Sequence, residues 1–241
     1  MALDNKIVLI TGGARRIGRS LALAAAQAGA EVAIHYGHSH AEAESIRTEI
    51  EALGGKAFLL QADLSDPLQV IGLIPRVFEH GRLFALVNNA SVFDSLTWKD
   101  TSLDVWNQNL MVNLTAPFLL CQAFAQSLYQ DETGRIVNLL DWRALRPGSD
   151  HLPYTVSKSA LAALTRSLAA ALAPQITVNG LALGAILPPG NGEVDRDILK
   201  YVPAGRWASL EEVGQTLIFL LDGPAYITGE IIHVDGGRHL V

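Results

Sequence analysis

Apolar and polar positions along the chain follow two alternating periods. Short aliphatic or β-branched runs at 6–10, 31–36, 57–61, 84–89, 135–140, 175–180 and 230–237 have the length and composition of buried strands. Between them, Ala- and Leu-rich stretches of helical periodicity predict helices near 16–28, 40–53, 67–79, 103–128, 153–173 and 209–221. Strand–helix alternation at this spacing implies right-handed crossovers, and with them a doubly wound parallel sheet covered by helices on both faces. Nothing resembles a linker or a repeat, so residues 1–241 read as one domain. The long interruption at 181–208, rich in Gly and Pro, follows the sixth strand. Such inserts are binding lids or poorly ordered segments, and a place beyond a strand's carboxyl end favours the lid.

Composition narrows the class without naming a reaction. A content of 49% hydrophobic and 17% charged residues belongs to a globular chain. The net charge of −6 argues against binding of nucleic acid or an anionic membrane, because phosphate neutralisation needs a basic surface. Small molecules, or other copies of the chain, are the expected partners. The single cysteine, Cys121, lies in the apolar stretch "FLLCQAF" and reads as a buried structural thiol. The opening "MALDNKIVLI" has no basic segment before its short apolar run and does not read as a signal peptide; no apolar run reaches membrane-spanning length. The expected compartment is the cytoplasm.

Candidate chemistry begins after the first strand, in "TGGARRIG" (11–18). Glycines there let the backbone turn sharply and let a pyrophosphate approach the amides at a helix start, where the dipole favours negative charge. The strict G-x-G-x-x-G spacing is absent, and Arg16 stands where a glycine is expected; its guanidinium suits phosphate oxygens, or else is a solvated turn residue. The second strand ends in His35, Tyr36, Gly37, His38 and Ser39, without the carboxylate that binds a ribose 2′-hydroxyl. With Arg16 this favours a 2′-phosphate, and hence NADPH over NADH. His35, His38 and His40 lack carboxylate or thiolate partners nearby, so no metal is expected. Asp63, in "ADL" after the third strand, could bond an adenine amino group or cap a helix.

With "TGGARRIG", "ADL", "NNAS" at 88–91, Asn113 and Tyr154-x-x-x-Lys158 all in order, the chain resembles the short-chain dehydrogenase/reductase family along essentially its whole length. The resemblance implies a Rossmann-type fold with a seven-stranded sheet, hydride transfer with a nicotinamide cofactor and, commonly, a homotetramer. It implies that Tyr154 supplies a proton, that Lys158 lowers the tyrosine's pKa and holds the nicotinamide ribose, and that Asn113 supports a proton-relay water. The cofactor-binding positions it points to are Gly12, Arg16, Ile17, Gly18, His35, Tyr36, His38, Ser39, Asp63, Leu64, Asn89, Ala90, Ser91, Tyr154, Lys158, Gly184 and Ile186.

Two departures from the family pattern matter. The usual Pro-Gly after the sixth strand is Leu183-Gly184, and the serine usually found 13 residues before the tyrosine is Asp141. A hydroxyl there donates to a carbonyl oxygen that becomes alkoxide-like as hydride arrives, whereas an ionised carboxylate would repel that charge. Simple ketone reduction is disfavoured unless Asp141 is protonated. An imine-like C=N in a nitrogen heterocycle presents amino and N–H donors that a carboxylate can accept, and Asp141 could also keep the Tyr154 phenol protonated. The pteridine reductases are the branch this pattern resembles most, through Asp141, Arg16, "HYGHS" and "NNASVF" with Phe93. The resemblance implies a pterin stacked on Phe93, its polar edge meeting Arg16, Ser91, Asp141 and Tyr154. Without it, Phe93 would read as a core residue. Arg143 and Arg146, in "DWRALRPG", are solvated loop residues or, near the mouth, contacts for an anionic substituent.

Overall fold

The computed structural model describes residues 1–187 and 196–241. Seven parallel strands form one sheet: β1 (Ile7–Ile10), β2 (Glu31–Tyr36), β3 (Lys56–Gln61), β4 (Leu83–Asn88), β5 (Gly134–Asp141), β6 (Ile176–Leu183) and β7 (Ile231–Val234). Their order is β3-β2-β1-β4-β5-β6-β7. The order reverses between β1 and β4, and in such sheets the crevice beyond the strands' carboxyl ends at that point takes the ligand.

The helices are α1 (Arg16–Gln27), α2 (His40–Ala52), α3 (Pro67–Ile71), α4 (Leu73–Phe78), α5 (Leu103–Leu110), α6 (Ala116–Ser127), α7 (Leu152–Leu172) and α8 (Leu210–Asp222). Side chains alternate across a strand, and β1 is buried on both faces as a central parallel strand must be. Val8 and Ile10 pack into a core with Leu21, Ile46 and Leu217 of α1, α2 and α8, while Ile7 and Leu9 pack into the opposite core with Ile74 and Phe124 of α4 and α6. Cys121 is fully buried in the second core, and burial pushes its thiol up to about 12, which leaves it inert.

The structure alters several expected boundaries. The helix expected over 67–79 breaks at Gly72, which serves as the end of α3 and the start of α4. The helix expected over 103–128 is interrupted by a π-turn, Met111–Thr115. The last strand stops at Val234, three residues short of the expected end, because Gly236 and Gly237 adopt φ of +63° and +85° and turn the chain out of the sheet. Of the insert expected at 181–208, residues 181–183 complete β6 and 196–201 form a short 3-10 helix. The lid expectation falls in part on 188–195, outside the described residues. Among the described residues, no helix is long and apolar enough to cross a membrane.

Candidate active site

The turn after β1 is built by Thr11. Its hydroxyl oxygen accepts from the N–H groups of Asn89 at 2.9 Å and Ala90 at 3.0 Å, while the Asn89 amide donates to the carbonyls of Thr11 at 2.8 Å and Gly12 at 3.2 Å. Gly12 has φ of +61°, and a Cβ on Gly18 would lie 2.0 Å from the Gly12 carbonyl oxygen, so the turn must pass flush against the start of α1. Arg16 opens that helix in a left-handed conformation, φ +50°. No acidic residue stands in the first turn, so the helix dipole and two exposed arginines reinforce one another. A cleft of about 390 Å³ lies between α1 and α2, lined by Arg15, Arg16, Arg19, Glu42 and Ser45 among others.

His35 takes no exposed place there. It is 2% exposed; its Nδ1 accepts from the Gly12 N–H at 3.1 Å, and its Nε2 donates to the Ala62 carbonyl 3.0 Å away. Burial pushes its pKa down to about 4, so the ring is neutral and shapes the turn as a strut between β1 and β3. Tyr36 is also buried, its hydroxyl 2.9 Å from Nδ1 of His40, whereas His38 is exposed and Ser39 precedes α2. The Asp63 carboxylate accepts from the Ser65 N–H and hydroxyl at 2.8 and 2.7 Å, and these bonds lower its pKa. Leu64 is buried beside it, and Ile17 packs at the edge of the first core.

Asp141 is the last residue of β5, and Tyr154 and Lys158 lie one turn apart at the buried start of α7. The Tyr154 hydroxyl donates to Oδ2 of Asp141 at 3.1 Å; Oδ1 of the same carboxyl accepts the Arg143 main-chain N–H at 2.8 Å. Burial raises the Asp141 pKa, and the Arg143 N–H, the Arg143 guanidinium, the Tyr154 hydroxyl and the Lys158 ammonium oppose the shift without cancelling it. Burial pushes the phenol well above its usual range, and the Asp141 charge and hydrogen bond push it further. The Lys158 ammonium donates to the Leu139 carbonyl at 2.7 Å, and burial lowers its pKa to about 8 against the opposing pull of Asp141. The expected lowering of Tyr154 by Lys158 is therefore reversed in direction: burial and the neighbouring carboxyl hold the phenol protonated.

Asn113 sits within the π-turn, a distortion that often marks functional positions. Its Oδ1 accepts from the Val92 N–H at 2.9 Å and the Ser91 hydroxyl at 3.0 Å; its Nδ2 donates to the Val92 carbonyl and the Ser157 hydroxyl, both at 3.0 Å. These four bonds fill the amide's capacity. The side chain thereby ties the 91–92 segment to α7. Phe93 follows that segment and is 55% exposed, so the core reading fails for it. Its ring lies edge-on to Tyr154 at 4.6 Å and stacks on His151 at 4.1 Å. Gly184 permits a close approach of the end of β6 to Asp235, since a Cβ there would lie 2.6 Å from the Asp235 backbone, and Ile186 is buried just beyond.

The fold thus gathers Ser91, Phe93, Asn113, Asp141, Tyr154 and Lys158 into one bonded or packed cluster. Arg16 stands with the glycine turn in the α1–α2 cleft. Arg146 is exposed, while Arg143 folds back to within 3.9 Å of Asp141 and donates to Asp150 at 3.0 Å. Two supporting residues escaped the sequence reading. Ser157 immediately precedes Lys158 but carries no periodic signal, and His151 becomes a partner of Phe93 only through its left-handed backbone at φ +50°.

The family model described as enoyl-(acyl carrier protein) reductase matches residues 12–239. The chain is 32% identical to a 3-oxoacyl-[acyl-carrier-protein] reductase of Synechocystis sp. over 241 residues, covering 98% of each. Among solved structures it resembles FolM alternative dihydrofolate reductase 1 from Brucella canis complexed with NADP, with TM-score 0.92 and 37% identity over 100% of this chain and 97% of that one. A short-chain dehydrogenase from Burkholderia cenocepacia in complex with NADP superposes with TM-score 0.92 at 35% identity, over 99% of each chain. The fold, the glycine turn and the tyrosine–lysine pair agree with these likenesses: the chain belongs to the short-chain dehydrogenase/reductase family and is an oxidoreductase of that family.

Proposed function

We propose that this chain is an NADPH-dependent reductase of a pteridine, acting on a ring C=N of a dihydropterin or dihydrofolate. The observation that carries the reading is the Tyr154–Asp141 hydrogen bond, 3.1 Å, in the place where a ketone reductase of this family has a serine. Support comes also from the likeness to FolM of Brucella canis.

The residues present fit a dinucleotide. The close Gly12–Gly18 approach leaves no room for a Cβ, and the α1 amides beside it carry no acid. Gly12, Ile17 and Gly18 would hold the pyrophosphate; Arg16, His38 and Ser39 the 2′-phosphate; Asp63 and Leu64 the adenine. Asn89, Ala90 and Ser91 would flank the central portion, with Lys158 at the ribose and Gly184 and Ile186 at the nicotinamide. His35 and Tyr36 contribute by shaping the β2 end. When bound, the cofactor supplies hydride to the ring carbon of the C=N unit.

Tyr154 supplies the matching proton to the nitrogen, directly or through water. Its phenol is a protonated acid throughout the neutral range, and burial raises the proton affinity of Asp141 beside it. Asp141 also accepts from amino and N–H donors on the substrate's polar edge, with Ser91 alongside, and the open part of Phe93 offers a stacking surface. We extend the proposal to a homotetramer, as the family resemblance implies, and to the cytoplasm, as the sequence's lack of a signal-peptide pattern suggests; light scattering tests the assembly.

The test is NADPH oxidation with dihydrobiopterin, dihydromonapterin and dihydrofolate, with Tyr154→Phe as control. Turnover that falls at least 100-fold in the variant supports the reading; no turnover of any of the three overturns it. A second reading, reduction of a 3-oxoacyl thioester, is favoured by the Synechocystis relative. It requires Asp141 to stay protonated so as to donate to the carbonyl oxygen, and the raised pKa of Asp141 is compatible with that.

A further inference from the structure

Beyond β7 the chain forms a hook organised by Asp235, which is 4% exposed. Its Oδ1 accepts from the Gly237 N–H at 2.9 Å, its Oδ2 accepts from the His239 N–H at 2.9 Å, and the same Oδ2 lies 2.8 Å from Nδ1 of His239. A Cβ on Gly236 would lie 2.7 Å from the Val202 side chain, so the turn is also packed from outside. The hook carries Arg238 onto the indole of Trp142, with Cζ 4.2 Å from the ring centroid. Arg143 approaches the same ring at 5.0 Å. Trp142 directly follows Asp141, so two guanidinium groups share one aromatic ring next to the residue that bonds the proton donor.

Neither guanidinium is fully satisfied. The Nε atoms of Arg143 and Arg238 are both buried without a hydrogen-bond partner. Arg143 gives Nη2 to Asp150 at 3.0 Å and lies 3.9 Å from Asp141, whereas Arg238 makes no ion pair among the described residues. Two cations held beside one ring attract an anion that can accept from both. Burial lowers the Arg238 pKa and the neighbouring Arg143 charge lowers it further, while Asp141, Asp150 and Asp235 oppose the shift. The indole adds a flat apolar face against which an aryl spacer can lie.

We propose that Trp142, Arg143 and Arg238 form a subsite for a carboxylate on the substrate's side chain, selecting folate-type pteridines over those with neutral hydroxyalkyl tails. The proposal rests on the pteridine reading of the Asp141 site, and it assigns the end of the substrate that Phe93 and Tyr154 do not touch.

Two experiments separate it from that reading. In the first, kcat/KM with NADPH is measured for dihydrofolate and for dihydrobiopterin in the parent, Arg238→Met, Arg238→Lys and Arg143→Met proteins. The dihydrofolate-to-dihydrobiopterin ratio should fall at least tenfold in Arg238→Met and Arg143→Met, mainly through KM, and recover in part in Arg238→Lys. An unchanged ratio, including equal losses on both substrates, overturns the proposal. In the second, the NADP-loaded protein is titrated calorimetrically with p-aminobenzoylglutamate and with neutral p-aminobenzamide. Binding of the first alone, abolished in Arg238→Met, supports the subsite even if no pteridine is turned over, in which case the pteridine reading falls separately. No binding of the carboxylate probe by the parent protein overturns the subsite. Should Arg238→Met fail to fold, Arg143→Met and Arg238→Lys carry both tests.

Discussion

The Tyr154 hydroxyl donates to Oδ2 of Asp141 at 3.1 Å, while Oδ1 is tied to the main-chain N–H of Arg143 at 2.8 Å. The carboxyl is thereby aimed at the phenol, away from bulk water. Replacing Asp141 with serine removes the acceptor for substrate amino groups and supplies a hydroxyl suited to an oxyanion. Asp141→Ser should lower kcat/KM for a dihydropterin at least tenfold and raise turnover of a simple ketone or oxoacyl thioester from a low base. Parallel assays on both substrates decide it, and a variant that keeps its pterin rate would remove Asp141 from the mechanism.

The pH dependence follows from Lys158. Its folded pKa, about 8, lies below the usual 10.5, so the ammonium is lost as pH rises through about 8. Tyr154 remains protonated over that range. The expected profile of kcat/KM for NADPH, which reports groups of the free enzyme, bends downward above about pH 8. A flat profile to pH 9.5 would show that the lysine keeps its charge. The stability contribution has the opposite sense: for a depressed lysine it is present above the unfolded pKa and is lost as pH falls through about 8.

His35 makes a stability prediction independent of catalysis. Its pKa is depressed from 6.5 to about 4, so its contribution is present above pH 6.5 and is lost as pH falls from there through about 4. The full loss is about 3 kcal/mol. Urea unfolding at pH 7, 6, 5 and 4 should show this decline, and His35→Gln should flatten it relative to the parent.

Phe93 presents an exposed ring braced by His151 at 4.1 Å. Phe93→Ala should raise KM for a pteridine roughly fivefold to tenfold, consistent with about 1 kcal/mol of ring stacking, and leave Kd for NADPH within twofold. An unchanged KM would exclude stacking on this ring.

Gly18→Ala forces a Cβ to within 2.0 Å of the Gly12 carbonyl oxygen, so the turn must open. NADPH affinity, followed by cofactor fluorescence, should fall at least tenfold together with a lower Tm. Normal binding would show that the turn can yield without loss.

Much of this was legible in the sequence because it depends on local chemistry. Strand and helix alternation follows from periodicity, and both faces of β1 are buried as its run of Ile, Val, Leu and Ile requires. Tyr154 and Lys158 share a helix face because four residues separate them. The break at Gly72 and the π-turn around Asn113 were not legible: the apolar periodicity marks a helical stretch as a whole and does not show where its hydrogen-bonding pattern changes within it.

The sequence by itself determined the parallel doubly wound sheet, the glycine turn before α1, the tyrosine–lysine pair on α7 and the presence of an acid at position 141. Only the tertiary structure decided what those groups do to one another. Burial beyond the end of β5 raises the proton affinity of Asp141 and Tyr154 together, and burial also turns His35 from a candidate phosphate ligand into a neutral strut. The meeting of Arg238 with Trp142, almost a hundred residues away in sequence, depends on the Asp235 hook. Charge state and long-range contact are set by the surroundings that folding assembles around a side chain, and no local pattern of residues encodes them.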